Sequence, residues 1–581
     1  MRRQVVASPP GWLSPLRARI PAPRVSHEGR PPVPMNPEAG TGPPGRRRII
    51  RAGLTLTGAA FAAVFLCLSF TPSLLPRAWF LQGVVGGVTA ATGYALGTAI
   101  GALVRVRHRF SARTVRIAWR VLFALVPLLF LIFLWLGVRW QRELRGRLGL
   151  PQAQEYDVIR TLGIGLLAFG VILLVARSLR LATHGCALVF RQVVPHRAAY
   201  CAGAIVVTLL SYSALDGLVM GQLFSMADRS AAVVNSGTGN GVTMPTSVLR
   251  SGGPRSLMSW DSLGRQGRAF VAAAPTTQEL TTFAGRPAQE PIRVYAGLTS
   301  ADTVDERAAL VVREMDRTGA FDRSVIAIVT PTGTGWVDNR VTRSLEYMYG
   351  GDTALVSMQY SYLPSWISFW SDRSEVASSA AALVGAVRER WSAMPEVSRP
   401  KLLLFGESLG TYGLEKVSGS PEQMVAGSDG MLLLGPTFAN PLHRALTENR
   451  AEGSPVWEPR YPELPIVFAE SGANLRALTG ERPKVVYLQN ATDPVVYWSW
   501  DLLWKKPKWL TGERGPDVTP DMHWYPGITF WQTSCDLIFA NKVPTGHGHV
   551  YKSQAIDGWA AIAPPPGWTV ADTIRLRELL G

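Results

Sequence analysis

The chain has 581 residues, 47% hydrophobic and only 17% charged. Soluble globular chains carry roughly 25% charged residues, so the shortfall points to membrane segments. With 19 Trp and 20 Phe, disorder throughout is excluded. The net charge of +17 is not a nucleic-acid footprint: residues 1–220 hold 26 Arg, no Lys and six acidic residues, whereas residues 221–581 are slightly acidic and show no basic stripe with interleaved aromatics. Positive charge confined to an apolar half records membrane orientation instead. Of four cysteines only Cys535 lies in the second half, so no disulfide can form within it. No CxxC pair or HExxH occurs, which argues against a structural zinc or zincin site.

Residues 1–48 are rich in Pro, Gly and Arg, lack hydrophobic periodicity, and read as a disordered tail. Residues 49–222 read as a helical transmembrane domain, with apolar stretches over about 51–70, 79–103, 117–138, 161–177 and 199–220. A bilayer core of about 30 Å needs about 20 helical residues, so the fourth stretch is marginal, and a buried or re-entrant helix is its alternative. The second stretch is rich in glycine (Gly83, Gly86, Gly87, Gly93, Gly97, Gly101), which places it inside the bundle, where small residues allow close approach. Arginines before the first stretch (Arg46, Arg47, Arg48, Arg51), after the second (Arg105 to Arg116) and after the fourth agree with a cytoplasmic N-terminus and five crossings. The third connection, with Arg139, Arg142, Arg145, Arg147 and Arg160, dissents. This reading gives a multi-pass plasma-membrane protein with its second half outside the cytoplasm.

Residues 223–290 read as linker and domain entry, Gly/Ser/Pro-rich over 231–257. Residues 291–581 alternate short Val/Ile/Leu runs with amphipathic stretches. PIRVYAGL, SVIAIVT, ALVSMQY, KLLLFGE, GMLLLG and KVVYLQN have the composition of buried parallel strands, and DERAALVVREMDRTGAF and SEVASSAAALVGAVRERWSAM are helical. The alternation implies a doubly wound, mostly parallel α/β sheet.

The sharpest motif is Gly406-Glu407-Ser408-Leu409-Gly410, directly after the strand KLLLF and before a helix-forming stretch. That is the context of a nucleophile elbow, in which a serine is lifted above the sheet edge on a strained turn. A plain Gly/Ser turn would lack the flanking strand and helix. Serine needs a base, and in α/β-hydrolases the chain order is Ser, acid, His. Asp493, just past the strand KVVYLQN, is the candidate acid; its alternative is a simple Asp-Pro turn. Three histidines follow: His523, in a surface-like segment, and His547 and His549 in PTGHGH. One of the pair should be the base. His547 is favoured because glycines on both sides free its backbone, leaving His549 as a supporting or substrate contact. A metal held by the pair is disfavoured, since no acidic cluster accompanies it. The oxyanion should meet the N–H of Leu409 and amides of the loop after the second strand, through Thr332, Gly333 and Thr334. A phosphate cradle is the weaker reading of that loop, because no GK[ST] follows. Trp336, Trp498 and Trp500 should line an apolar pocket, with the Trp/Lys-rich stretch 498–509 suited either to a membrane interface or to a cap packed by its own rings.

The strings SFTPSLLPRAWFLQGVVGGVTAATGYALG, TPTGTGWVD, QYSYLPSWISF, RPKLLLFGESLG and PTGHGHVY resemble those of actinobacterial multi-pass membrane proteins with a C-terminal α/β-hydrolase domain, over about residues 50–575. The resemblance implies a lipase-like serine hydrolase fused to a membrane domain, with its nucleophile at Ser408 and its histidine in the GHGH loop. The expectation is therefore an α-helical transmembrane bundle followed by an α/β-hydrolase domain. It acts on a hydrophobic ester or lipid amid membrane lipids, by hydrolysis or acyl transfer, with no cofactor and no nucleic-acid partner. The alternative, a non-catalytic scaffold or transporter, sits poorly with spans that hold almost no acidic residue beyond Asp216.

Overall fold

The computed structural model describes residues 53–107, 111–152, 157–214, 221–363 and 373–581. The tail 1–48, Asp216 and most of YSYLPSWISFW lie outside the described residues.

The first half is helical. Helix α1 (Leu56–Leu68) starts on the Thr55 side chain, which accepts from the Gly58 N–H, and stops where Pro72 and Pro76 remove backbone donors. At 13 residues it is about 20 Å long, short of the bilayer core. Among the described residues three helices are long and apolar enough to cross a membrane: Trp79–Arg105 within α2 (Trp79–Arg107), α3 (Ala112–Arg147) and α4 (Val158–Phe190). The stretch expected to be marginal is thus part of a 33-residue helix. Arg177 and Arg180 do not end it, because arginine is a good helix former. Helix α5 (His196–Ser213) follows. Helix α2 is the inner one, as its glycines require. A Cβ on Gly87 would stand 2.7 Å from the Ala168 Cβ of α4, and one on Gly93 would stand 2.7 Å from the Phe65 ring of α1. By contrast α3 and α4 turn most of their apolar side chains outward, Phe123, Leu131 and Leu166 among them.

A helix over Gly221–Ser236 runs into the segment read as a linker. Among the described residues the second half is built on seven strands, β1 (Ile292–Ala296), β2 (Val325–Thr330), β3 (Thr353–Met358), β4 (Lys401–Glu407), β5 (Gly430–Leu434), β6 (Ile466–Ala469) and β7 (Val485–Leu488). All pairings are parallel, in the order β1-β3-β2-β4-β5-β7-β6, so all strands end at one edge of the sheet. The expected strands fall in place. The four-residue edge strand β6 has too short an apolar run to stand out in the sequence. Strand β4 lies at the centre, with Thr330 of β2 opposite Gly406 and Leu434 of β5 opposite Glu407. Its residues Leu402–Phe405 are wholly buried.

Arg293 of β1 is buried in this core and bonds Glu346 through both carboxylate oxygens, at 2.8 and 2.7 Å. The pair ties the sheet's edge to the helix Asn339–Met348, which follows the TPTGTGWVD loop. Removing one member leaves the other charge buried alone. Arg293→Met should therefore cost about 3–5 kcal/mol in denaturant unfolding, and adding Glu346→Leu should restore much of it. A loss as large in the double variant would show that the pair's charges are not the cause.

Candidate active site

Ser408 sits at φ 55° and ψ −121°, in the left-handed half of backbone space, between β4 and the helix Leu409–Ser418. Non-glycine residues are held there only when the surroundings over-determine them. Three contacts do so. The Ser408 N–H donates to the Leu434 carbonyl of β5 at 2.9 Å, and its own carbonyl accepts from the Thr411 N–H at 3.0 Å and Oγ1 at 2.6 Å. The flanking glycines are required by space. A Cβ at 406 would stand 2.7 Å from the Gly410 carbonyl carbon, and one at 410 would run into the Thr330 carbonyl oxygen of β2.

His549 and Asp493 meet at the same sheet edge. The His549 Nδ1 lies 2.6 Å from Asp493 Oδ2, and both side chains are buried. Asp493 is fixed twice more: Oδ1 accepts from the Val495 N–H at 2.8 Å and Oδ2 from the Tyr551 hydroxyl at 2.6 Å. The His549 N–H donates to the Ala540 carbonyl at 2.8 Å. Its ring occupies the space a Cβ on Gly435 would need, with Nδ1 2.8 Å from that position. Gly435 follows Leu434, whose carbonyl holds Ser408, so imidazole and elbow share one end of β5. His549 Nε2 is buried and has no hydrogen-bond partner among the described residues. His547 is held elsewhere: its Nδ1 lies 2.7 Å from Asp517 Oδ2, which also accepts from Thr492 Oγ1 at 2.7 Å. The glycines around His547 thus leave its ring on Asp517, and the buried acid after β7 takes His549. His523 is exposed, 2.9 Å from the Asp521 carbonyl.

A family model described as the alpha/beta-hydrolase family matches residues 292–576, and one described as that family's N-terminus matches residues 70–275. The chain belongs to the alpha/beta-hydrolase family. Neither a curated protein nor a solved structure matches it.

Around the elbow this hydrolase carries two acids that the sequence reading passed over. Glu407, the second residue of the motif, is buried, and its Oε2 has no partner among the described residues. Burial, with the Asp338 charge behind it, pushes its carboxyl up to about 8, while His549 pulls the other way. Asp338 is likewise raised by burial, against the Arg340 N–H that its carboxylate accepts at 2.8 Å and the charges of Arg340 and Lys552. Burial lowers the His549 imidazole, but the Asp493 carboxylate and its hydrogen bond, with Glu407, outweigh it and leave the group above its usual 6.5. Tyr551, two residues past His549, was also missed. In GHGHVY it reads as a core aromatic, and only folding brings its hydroxyl to Asp493.

The expected oxyanion loop leaves β2 beside the elbow. Leu409 is buried at the first turn of its helix, where N–H groups have no intrahelical partner. Thr332 does not fit its expected part. Its N–H donates to the Trp336 carbonyl at 3.0 Å and its hydroxyl to the same oxygen at 3.3 Å, because the loop closes on itself through Gly335 at φ 83°. The Thr334 carbonyl accepts from Gln359 Nε2 at 2.8 Å, and Gly333 lies between the two. The expected pocket also divides. Trp336 borders a cavity of about 350 Å³ lined by charged groups, Asp338, Arg340 and Arg343 among them, rather than an apolar one. Trp498 is only 2% exposed and packs among Phe438, Trp500 and Phe530, so it is core rather than lining. Trp500 is 53% exposed and stacks on Phe530.

An acid with a raised folded-state pKa holds its proton more tightly folded than unfolded. The folded state therefore loses stability as pH climbs from the ordinary 4.5 to about 8. Glu407→Gln removes that titration. Its melting temperature relative to wild type should rise with pH across this window, and a flat difference would mean that Glu407 titrates as in water.

Proposed function

We propose that this hydrolase cleaves carboxylic esters, or transfers their acyl group, through Ser408, His549 and Asp493. The observation that carries the reading is the buried Asp493–His549 pair, whose Nε2, unpaired among the described residues, belongs to a ring seated at the end of β5 that holds the strained serine. Ser408 Oγ attacks the ester carbonyl as His549 Nε2 takes its proton, and Asp493 steadies the imidazolium. The oxyanion faces the Leu409 N–H and a second donor from the Gly333–Thr334 segment; each such donor is worth about 2.7–4 kcal/mol in the transition state. Collapse passes the proton to the leaving alcohol and leaves acyl-Ser408. Water then gives hydrolysis, and an acceptor hydroxyl gives acyl transfer. No step calls on a metal or organic cofactor.

The substrate class follows from the neighbourhood. Three span-length helices adjoin the domain. Trp500 and Trp504 are exposed beside the exposed Lys505, Lys506 and Lys508, a composition suited to the headgroup region. We therefore assign a lipid or cell-envelope acyl ester. A fluorophosphonate should label Ser408, and Ser408→Ala should lose labelling and about 10⁶-fold in turnover. Labelling that survives in Ser408→Ala would sink the assignment, and a wild type that neither labels nor turns over any ester would favour a scaffold. His549→Ala should approach the serine variant, whereas His547→Ala should keep most activity. Since the base must be neutral, kcat/KM should rise with pH along a limb above the ordinary 6.5, and Asp493→Asn should lower that limb and cost roughly 10³–10⁴-fold.

We further propose that the hydrolase domain faces away from the cytoplasm. It touches the C-terminal part of α3, where the Trp140 Nε1–H donates to Asp521 at 2.9 Å, about 42 Å of helix from the start at Ala112, which lies within the basic Arg105–Arg116 stretch. A membrane-impermeant amine reagent applied to intact cells should modify Lys505 and Lys506. Modification only after lysis would place the domain inside.

A further inference from the structure

The family matches divide the chain between residues 275 and 292, but its hydrogen bonds do not. Between α1 and α2 the chain makes a buried, non-helical turn, Ser69–Arg77. The N–H groups of Ser69, Phe70 and Thr71 turn back to carbonyls of α1, and that of Arg77 donates to Gln141 Oε1. Burial would orphan those of Leu74 and Leu75, which are met from the other end of the sequence. Asp536, on the helix Ile528–Phe539, accepts from the Ser73 hydroxyl at 3.0 Å, the Leu74 N–H at 3.1 Å and the Leu75 N–H at 3.4 Å. One turn earlier Gln532 donates to the Thr71 carbonyl at 2.8 Å and the Ser69 carbonyl at 3.2 Å. Arg77 braces the same turn, donating to the Ser69 and Thr71 carbonyls at 3.1 and 2.8 Å. Burial pushes the Asp536 carboxyl up to about 6, against Arg77 and these bonds.

The turn reaches the base. Leu75 Cδ1 stands 3.5 Å from where a Cβ on Gly548 would sit, against the residue between the two histidines. Ala540, which ends the helix carrying Asp536, accepts the His549 N–H. Leu74 and Leu75 share one apolar cluster with Val496, Tyr497 and Trp498, three to five residues past Asp493. We propose that the Ser73–Leu75 turn of the helical half, clamped by Asp536, is a positioning element that seats the His549 loop against Asp493. This rests on the triad reading above and adds that the hydrolase domain borrows part of its active-site support from the membrane half.

The test uses the full chain in phosphatidylcholine vesicles, comparing Asp536→Ala, Leu75→Ala and the conservative Asp536→Asn. The Asn oxygen can accept from Leu74 while its amide donates to Ser73, so that variant should keep most of the rate. Asp536→Ala and Leu75→Ala should slow fluorophosphonate acylation of Ser408 roughly 10–100-fold, the scale of a misplacement by about 1 Å. They should also move the acid limb to lower pH, because His549 loosens from the carboxylate that raises it. Hydrogen exchange over 540–551 should quicken while β4 and β5 stay protected. Unchanged exchange over 540–551 overturns the proposal. So does a rate loss that follows the folded fraction with the limb unmoved, which marks a merely structural role. If wild type never acylates at Ser408, the triad reading fails by itself, and the exchange comparison still decides whether the turn seats the loop.

Discussion

Ser408 holds a backbone conformation that costs about 1–3 kcal/mol for a residue with a side chain, and the neighbouring elements are arranged around keeping it there. The strain is offset at the centre of the sheet, where β2 and β5 flank β4 and supply the carbonyls against which the elbow packs. Gly406 and Gly410 are needed because two backbones pass within contact of them. A Leu434 carbonyl that anchors Ser408, next to a Gly435 that leaves room for the His549 ring, puts serine and imidazole at one strand end.

Electrostatics then sorts the acids by environment. Asp493 receives a backbone N–H, a tyrosine hydroxyl and an imidazole. Glu407, buried and with no hydrogen-bond partner for Oε2 among the described residues, is pushed by burial toward its neutral form.

The helical half is more than a tether. Its Ser69–Arg77 turn, its inner helix through the Thr92 hydroxyl that accepts the Trp531 Nε1–H at 3.2 Å, and the end of α3 through Trp140 and Glu143 all bond the segment between Asp493 and His549. The Arg-rich end of α3, which fits the orientation rule poorly, is where that helix leans on the hydrolase domain; there Glu143 pairs with Arg147 at 3.0 Å and accepts from Thr519 at 3.2 Å.

Much was legible in the residues alone. Parallel strands announce themselves as apolar runs because both faces are buried, and the strand–GxSxG–helix context has few other physical uses. Hence six strands, the strand–turn–helix at Ser408 and the inner position of the glycine-rich α2 could be read locally. Helix lengths were less legible. Proline, not hydropathy, ended α1 early, and arginine did not end α4. What only the tertiary structure decided is pairing. Nothing in the spacing of His547 and His549 says which faces Asp493, since that depends on Asp517 and Tyr551 arriving from elsewhere in the fold. Burial likewise made Trp498 core and Glu407 a perturbed acid, and the loop's own closure occupied the Thr332 amide. Sequence fixes residue types and local turns because those forces act over a few bonds; partners hundreds of residues apart, such as Ser73 and Asp536, meet only when packing brings them together.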